Sequence, residues 1–575
     1  MKEILTVQIG SYANFIGSHF WNFQDELLGL ADNPESDEIF KNHHFNMDVL
    51  YRAGETRQGI LTHTPRLVSV DFQGSLGCVS ASGTLYNEVP VASIDTPTWK
   101  GSITTQTSEP LKKNLFLQSL DSAETDEDMD NSRGYDGRNS DSQTEYQDKD
   151  IVACLEDGVQ YWTDFSKVHY HPQSLYELNG SWMDPEDFNN YGIGRDAFSG
   201  CLSGEEINER LRFFVEECDL IQGFQFIVDD SGGFSGVAGE FLENVADEYT
   251  NVPVLLYCAR SPNSYLNAKS QKQIISSKIH DAVSLARLSS FCKLIVPVGL
   301  PSLSTSRLSK YLCVKDQKPY HTSAVYASAI HSISLPFRMQ PLGPSTQVSH
   351  TCGAVDINEL MQMTGGQSRQ NMVTILDVSM PVPGLTGNQS PQCLLENLLP
   401  LTPELAEVED MLAVESITVH GVFGTGYQRA SVPEVKDAVQ ASYLNSAARP
   451  KFSHLSVAQC PLPIPLPFPS LFSNLVGQHG EILDGSISGP ATTRGPLEVH
   501  SIPMAARLRS SSAVLPYLED RLINLRRLGI ARGALGTELL RSWGFGKDDL
   551  DDMGETLSKM VSTLTPFSEE SSDSE

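Results

Sequence analysis

Residues 205–260 switch repeatedly between two hydrophobic periods, and this limits the fold more than any other feature of the 575-residue chain. "EEINERLRFFVEECDLI" repeats apolar residues at helical spacing, and "GFQFIVDD" is a short apolar run of strand type. "SGGFSG" is a glycine turn, "VAGEFLENVADEY" is amphipathic again, and "VPVLLYC" is a further strand. Helix, strand, turn, helix and strand in succession predict an α/β fold on a mostly parallel sheet. The start of the chain fits the same plan. "EILTVQIG" alternates like a strand and ends at Gly10, and Phe15, Ile16, Phe20, Phe23 and Leu27 then recur at helical spacing. "PRLVSVDFQG" is another short strand, ending at Asp71. Ligands of such sheets sit at the C-terminal ends of the strands. Gly10, Asp71 and Ser231 all fall there.

Charge removes several functional classes. A net charge of −31 and a pI near 4.8 exclude a nucleic-acid binder, whose surface must be basic. They equally disfavour simple adsorption to anionic lipid. Ten cysteines are scattered singly without a C-x-x-C pair, which reads as reduced thiols and no zinc site. "HYH" places His169 and His171 on one strand face without a third ligand nearby, so no metal is expected. The longest apolar runs are too short to span a membrane, and the N-terminus has neither a signal-peptide nor a transit-peptide pattern. The cytosol is the expected compartment.

Taken in order, four segments resemble the tubulin family. "EILTVQIGSYANFIGSHFW" is similar to the tubulin opening, with Gly10, Asn14, Ile16, Gly17 and the pair Phe20-Trp21 in register. "PRLVSVDFQGSLG" is similar to P-R-x-V-x-V-D-L-E-P-G. "CDLIQGFQFIVDDSGGFSGVAGEFLENVADEY" supplies the other two, the strand with its glycine turn and the helix ending Asp247-Glu248-Tyr249. Within that superfamily "FVEECDLIQGFQF", "DDSGGFSG" and "KVHYHPQSL" resemble the Misato proteins. The likeness extends to about residue 340.

The resemblance implies a nucleotide-binding-type α/β domain over 1–340, a second α+β domain over 341–505, C-terminal helices over 506–566 and an acidic tail over 567–575. Residues 121–150 hold eleven acids against three bases and almost nothing apolar, so 119–150 reads as a disordered insert. "PLPIPLPFPS" (461–470) reads as a buried packing strap. The family further implies a role in mitochondrial distribution and morphology. It places the chain in the cytoplasm and at the outer surface of mitochondria, working through protein partners among which tubulin and chaperonin components are candidates.

The resemblance also brings GTP as the candidate cofactor. The pocket it implies comprises Gly10, Ser11, Tyr12, Asn14, Asp71, Ser231, Gly232, Gly233, Ser235 and Gly236. Phosphate cradles need glycine because a side chain holds backbone N–H groups away from the phosphate. This chain departs from the pattern: Phe234 stands where a glycine is expected, and Ser11-Tyr12 where a long amide and a cysteine are expected. Gln73 replaces an acid, and Gln160 and Tyr161 replace asparagines. Asp229 and Asp230 add repulsion of about 3 kcal/mol each toward a phosphate about 6 Å away at an effective dielectric of about 20. "AVDINEL" faintly resembles a catalytic segment that would make Glu359 the acid and Asp356 its companion, against the plainer reading of acids in a first helical turn. The leading expectation is a partner-binding protein with a degenerate pocket. An active GTPase and a tubulin-folding factor are the alternatives.

Overall fold

The computed structural model describes residues 2–55, 61–80, 83, 111–122, 147–180, 187–200, 202–265, 270–340, 350–366, 372–385, 393–424, 428–445, 449–483 and 493–565. The first sheet is built from β1 (Glu3–Ile9), β2 (Leu67–Phe72), β3 (Leu175–Leu178), β4 (Ile221–Asp229), β5 (Val254–Ala259) and β6 (Leu294–Val298). Its order is β3-β2-β1-β4-β5-β6, and every neighbouring pair is parallel. Val7 sits at the centre, opposite Val68 on one side and Phe226 on the other. All seven residues of β1 are buried, as a central strand covered on both faces requires. Leu5, Val7 and Ile9 pack on one layer and Ile4 on the other.

Helix α1 (Ser11–Asp32) follows β1, and α2 (Asp148–Gly158) precedes β3. Helix α3 (Tyr191–Ser199) packs against α4 (Phe234–Glu248), and α5 (Gln271–Phe291) leads into β6. Helix α6 (Pro319–Ser334) then runs through the interior, its residues 320–334 all buried. Its small residues allow close packing, and its hydroxyls donate to carbonyls one turn back: Ser328 to Ala324 at 2.8 Å and Ser332 to Ser328 at 2.9 Å.

Six further strands form a mixed sheet on the far side of α6: β7 (Thr351–Cys352), β8 (Ile375–Ser379), β9 (Leu399–Pro400), β10 (Val414–His420), β11 (Phe452–Ala458) and β12 (Met504–Ser510). The order is β9-β8-β12-β10-β11-β7, parallel only between β10 and β11. Two helices, α8 (Leu515–Asn524) and α9 (Lys547–Leu564), cover the outer side of α5, with α7 (Ile357–Gly366) near the start of the second sheet. Residues 461–470 are mostly buried, with Phe468 against His19 and Phe23, so the proline-rich stretch packs as a strap.

Three expected boundaries move. Strand β12 crosses the 505/506 division and pairs with both β8 and β10, so the second sheet extends to Ser510 before the C-terminal helices begin. The acidic insert is shorter than 119–150 at both ends. Residues 115–122 are helical, started by Asn114 accepting the Leu117 N–H, and Asp148 already begins α2. The remainder of that insert, 123–146, and the tail 567–575 lie outside the described residues. Finally, "HYH" falls in the loop before β3 rather than on a strand, and His171 is stacked on Phe213.

Candidate functional site

The C-terminal ends of β1, β2 and β4 converge, bringing together Gly10, Asp71 and the 229–236 turn. Gly10 has φ of +103°, a conformation that favours glycine, and it delivers the chain from β1 straight into α1.

Asp71 is fully buried and accepts four hydrogen bonds. Ser11 Oγ (2.6 Å) and Phe72 N (2.8 Å) donate to Oδ1, and Asn14 Nδ2 (3.1 Å) and Trp162 Nε1 (3.0 Å) donate to Oδ2. A carboxylate has about four acceptor positions, so the protein's own donors saturate it. Burial pushes this carboxyl above its ordinary range, and the four hydrogen bonds oppose that rise. Asn14 is fixed in turn, since its Oδ1 accepts from Ser69 Oγ at 2.8 Å. Tyr12 faces the interior instead, donating to Thr322 Oγ1 of α6 at 2.8 Å.

The glycine turn packs against protein on its outer side. Gly233 N donates to Phe188 O at 2.8 Å, and the amides of Ser231, Ser235, Gly236 and Val237 also donate to protein oxygens. A β-carbon on Gly232 would lie 2.6 Å from Phe188 O, and one on Gly236 would lie 2.2 Å from Tyr191 O. These glycines therefore serve the close approach of the 188–195 segment. Ser235 is buried and donates to Gly232 O, and Ser231 caps Asp229 through its N–H and hydroxyl.

Phe234 occupies the space over Gly10. Its ring lies 4.5 Å from that of Phe72 and 5.0 Å from that of Phe188, with Phe72 and Phe188 5.1 Å apart. Three mutually packed aromatic rings thus close the strand ends where the sequence pattern placed a phosphate cradle. The residues present do not fit a triphosphate with its Mg²⁺. The amides of Ser231, Gly233, Ser235, Gly236 and Val237 are used internally, Asp71 has no remaining acceptor, and the apolar cluster offers the anion no donor.

Electrostatics contributes less to this exclusion than expected. Asp230 is paired with Arg260 Nε at 2.9 Å, and the same guanidinium reaches Asp281 at 2.9 Å, so Asp230 does not act as a free charge at the turn. Against burial, these two carboxylates hold Arg260 well above its ordinary range. Asp229 alone keeps the repulsive role.

Asp356 and Glu359 are not brought to this site. Asp356 bonds Lys2 at 2.8 Å, beyond the other end of β1 and about 23 Å of strand away from Gly10. The two acids exchange backbone bonds, Glu359 N to Asp356 Oδ1 at 2.8 Å and Asp356 N to Glu359 Oε2 at 2.9 Å, a reciprocal cap on α7. Burial favours the neutral form of Asp356, but the Lys2 ammonium together with the Asn358 and Glu359 N–H groups outweighs it and holds the carboxyl below its ordinary range. Gln160 and Tyr161 present their backbone amides to Asp164. Sequence reasoning missed Trp162, Phe188 and Arg260, whose partners lie 91, 46 and 30 positions away in the chain.

A six-stranded parallel sheet in this order, with a glycine turn opening α4 and an interior helix dividing it from a second sheet, defines a tubulin-like protein. Residues 153–339 match the family model for a Tubulin domain, and residues 2–122 match that for the Misato Segment II tubulin-like domain. Together they cover more than half of the chain. Protein misato homolog 1 of Bos taurus is 29% identical over 592 residues, covering 97% of each chain. The Homo sapiens homolog is 29% identical over 566 residues, covering 93% of each. Protein misato of Drosophila melanogaster is 26% identical over 571 residues, covering 92% of this chain and 93% of its own. The chain belongs to the Misato family.

Proposed function

We propose that this protein acts in the distribution and morphology of mitochondria as a tubulin-like scaffold that works through protein partners, not through nucleotide turnover. One observation carries the reading: Phe72, Phe188 and Phe234 fill the strand ends over Gly10, while Asp71 is consumed by four internal donors. A fold that keeps this geometry without a phosphate cradle retains its surfaces as its working parts. No helix among the described residues is long and apolar enough to cross a membrane. The net charge of −31 opposes direct adsorption to anionic lipid, which supports attachment at the cytosolic face of mitochondria through a protein.

The test is the nucleotide content of the purified full-length chain. After denaturation, chromatography should show far less than one guanine nucleotide per chain, and added GTP should be hydrolysed at the background rate. About one bound GTP or GDP per chain would overturn the reading and require the three rings to part.

A further inference from the structure

Residues 521–547 invert the charge of the chain. They hold Arg521, Arg526, Arg527, Arg532, Arg541 and Lys547 against one carboxylate, Glu538, in a protein with an excess of 31 acids. Arg521 is engaged internally, bonded to Glu404 and lying 3.6 Å from the centre of the Tyr517 ring. Arg526, Arg527 and Arg532 are exposed, and no ion pair among the described residues involves them. In so acidic a chain, surface arginines have abundant carboxylates to meet, so three left without one form a surface that attracts negative charge from outside.

The backbone gathers these groups. Helix α8 continues into a π-helical turn, Leu525–Ile530, a rare geometry that tends to mark functional positions. The following loop folds back on it: Ala531 N donates to Arg526 O and Gly536 N to Leu528 O, both at 2.8 Å, and Thr537 Oγ1 donates to Gly529 O at 3.1 Å. Arg532 and Leu535 are thereby held beside the turn that carries Arg526 and Arg527. Gly536 packs so tightly on Ile279 of α5 that a β-carbon there would lie 1.8 Å from the Ile279 side chain, which pins the loop. Leu535 is 76% exposed, the most exposed large apolar side chain among the described residues, and Ile523 is 56% exposed.

We infer that this surface binds an acidic peptide segment of a partner protein, with carboxylates on Arg526, Arg527 and Arg532 and an apolar side chain against Leu535 and Ile523. Arginine forks suit carboxylates, and exposed apolar groups inside a charged rim supply the anchor. A peptide engages the basic patch alone, whereas a membrane or nucleic-acid backbone would meet the acidic remainder of the chain as well. The inference extends the partner-based reading above and fails separately from it. A negative peptide assay removes this surface while leaving the mitochondrial role to its own test.

The probe is a short fluorescent peptide of alternating glutamate and leucine, titrated into the full-length protein by anisotropy. Saturable binding is expected, weakened about tenfold by high salt and about tenfold or more by the triple change R526E/R527E/R532E. Leu535→Ser should weaken it severalfold, the triple Arg→Lys variant should retain most of it, and a peptide with lysine for glutamate should not bind. Should the triple reversal unfold the chain, Arg532→Gln and Leu535→Ser, both in the exposed loop, give the same reading. Undiminished binding by either set of variants would overturn the inference. So would binding to phosphatidylserine vesicles without binding to the peptide, which would assign the patch to a membrane surface.

Discussion

Phe234 lies against Gly10 so closely that a β-carbon on Gly10 would come within 2.9 Å of its ring. The glycine that a nucleotide site would use to bring backbone to phosphate brings backbone to an aromatic side chain. The first prediction follows from that packing. Phe234 is 5% exposed and contacts two further rings, so Phe234→Ala should cost about 3–5 kcal/mol of stability in urea unfolding. Truncation should bring no stoichiometric nucleotide with it, because the amides of Ser231, Gly233, Ser235, Gly236 and Val237 and the Asp71 carboxylate keep their internal partners. A loss below about 1 kcal/mol would show that the ring does not fill this space.

Arg260 joins the turn to the layer beneath it. It pairs with both Asp230 and Asp281, and His280 Nε2 lies 2.8 Å from Asp230 O. Arg260→Met strands two carboxylates in a largely buried position, and the expected cost is about 3–5 kcal/mol. Adding Asp230→Asn to that variant should recover part of the loss, because one of the stranded charges is gone. Equal stability of the single and double variants would mean that the pair is not coupled.

Much of this fold was legible in the sequence, because each parallel strand announces itself locally. β1 and β4 are short apolar runs followed by glycine and a helical stripe, and the pattern places Gly10, Asp71 and Ser231 at the C-terminal ends of strands. Helix α6 was not legible. "PYHTSAVYASAIHSIS" has no apolar stripe because every side of it is buried, and its serine hydroxyls are satisfied by carbonyls and by partners such as His420, which lies 2.9 Å from Ser332. The closing of the pocket was half legible. Phe234 breaks a local glycine pattern, but Phe188 and Trp162 reach the site from loops whose own sequence carries no sign of it. The acid pair shows the same limit. Adjacent Asp229 and Asp230 look alike in sequence, yet only one of them meets an arginine 30 positions away.

Acid should destabilise the protein well before its carboxylates titrate as a group. Burial, the largest cause, pushes the imidazole of His19 down to about 3 and that of His420 to about 4, and holds His331 well below its ordinary 6.5. The unfolded chain takes up these protons near 6.5 and the folded chain does not, so stability falls as pH drops below that value. Each group contributes up to about 1.4 kcal/mol per pH unit. Glu156 acts in a lower window. Burial favours its neutral form, but His321 at 3.0 Å, the Ser470 N–H and the Lys315 ammonium together outweigh it and bring the carboxyl from 4.5 down to about 2. Its stabilising contribution is present above 4.5 and is lost as pH falls toward 2. Thermal melts should therefore decline steadily from about pH 6.5 downward, and a flat melting temperature to about pH 5 would contradict the buried neutral histidines.

Attachment to mitochondria, if made by a protein partner, should have a distinct biochemical signature. An acidic chain held through a basic patch and a few apolar contacts is an ionic, peripheral ligand. The mitochondrial fraction should therefore be digested by protease added outside intact organelles and released by high salt, with the rest of the protein in the soluble fraction. Release should not require detergent, since screening weakens charge-mediated contacts and leaves inserted apolar segments in place. Cells lacking the protein should show altered distribution and shape of mitochondria with import of matrix proteins unchanged. A protease-protected matrix pool would refute the topology. Normal mitochondria together with a loss of microtubules would move the function to tubulin folding instead, and the Arg526/Arg527/Arg532 reversal separates the outcomes further. If that surface is the tether, the variant should stay folded and soluble while its mitochondrial fraction disappears.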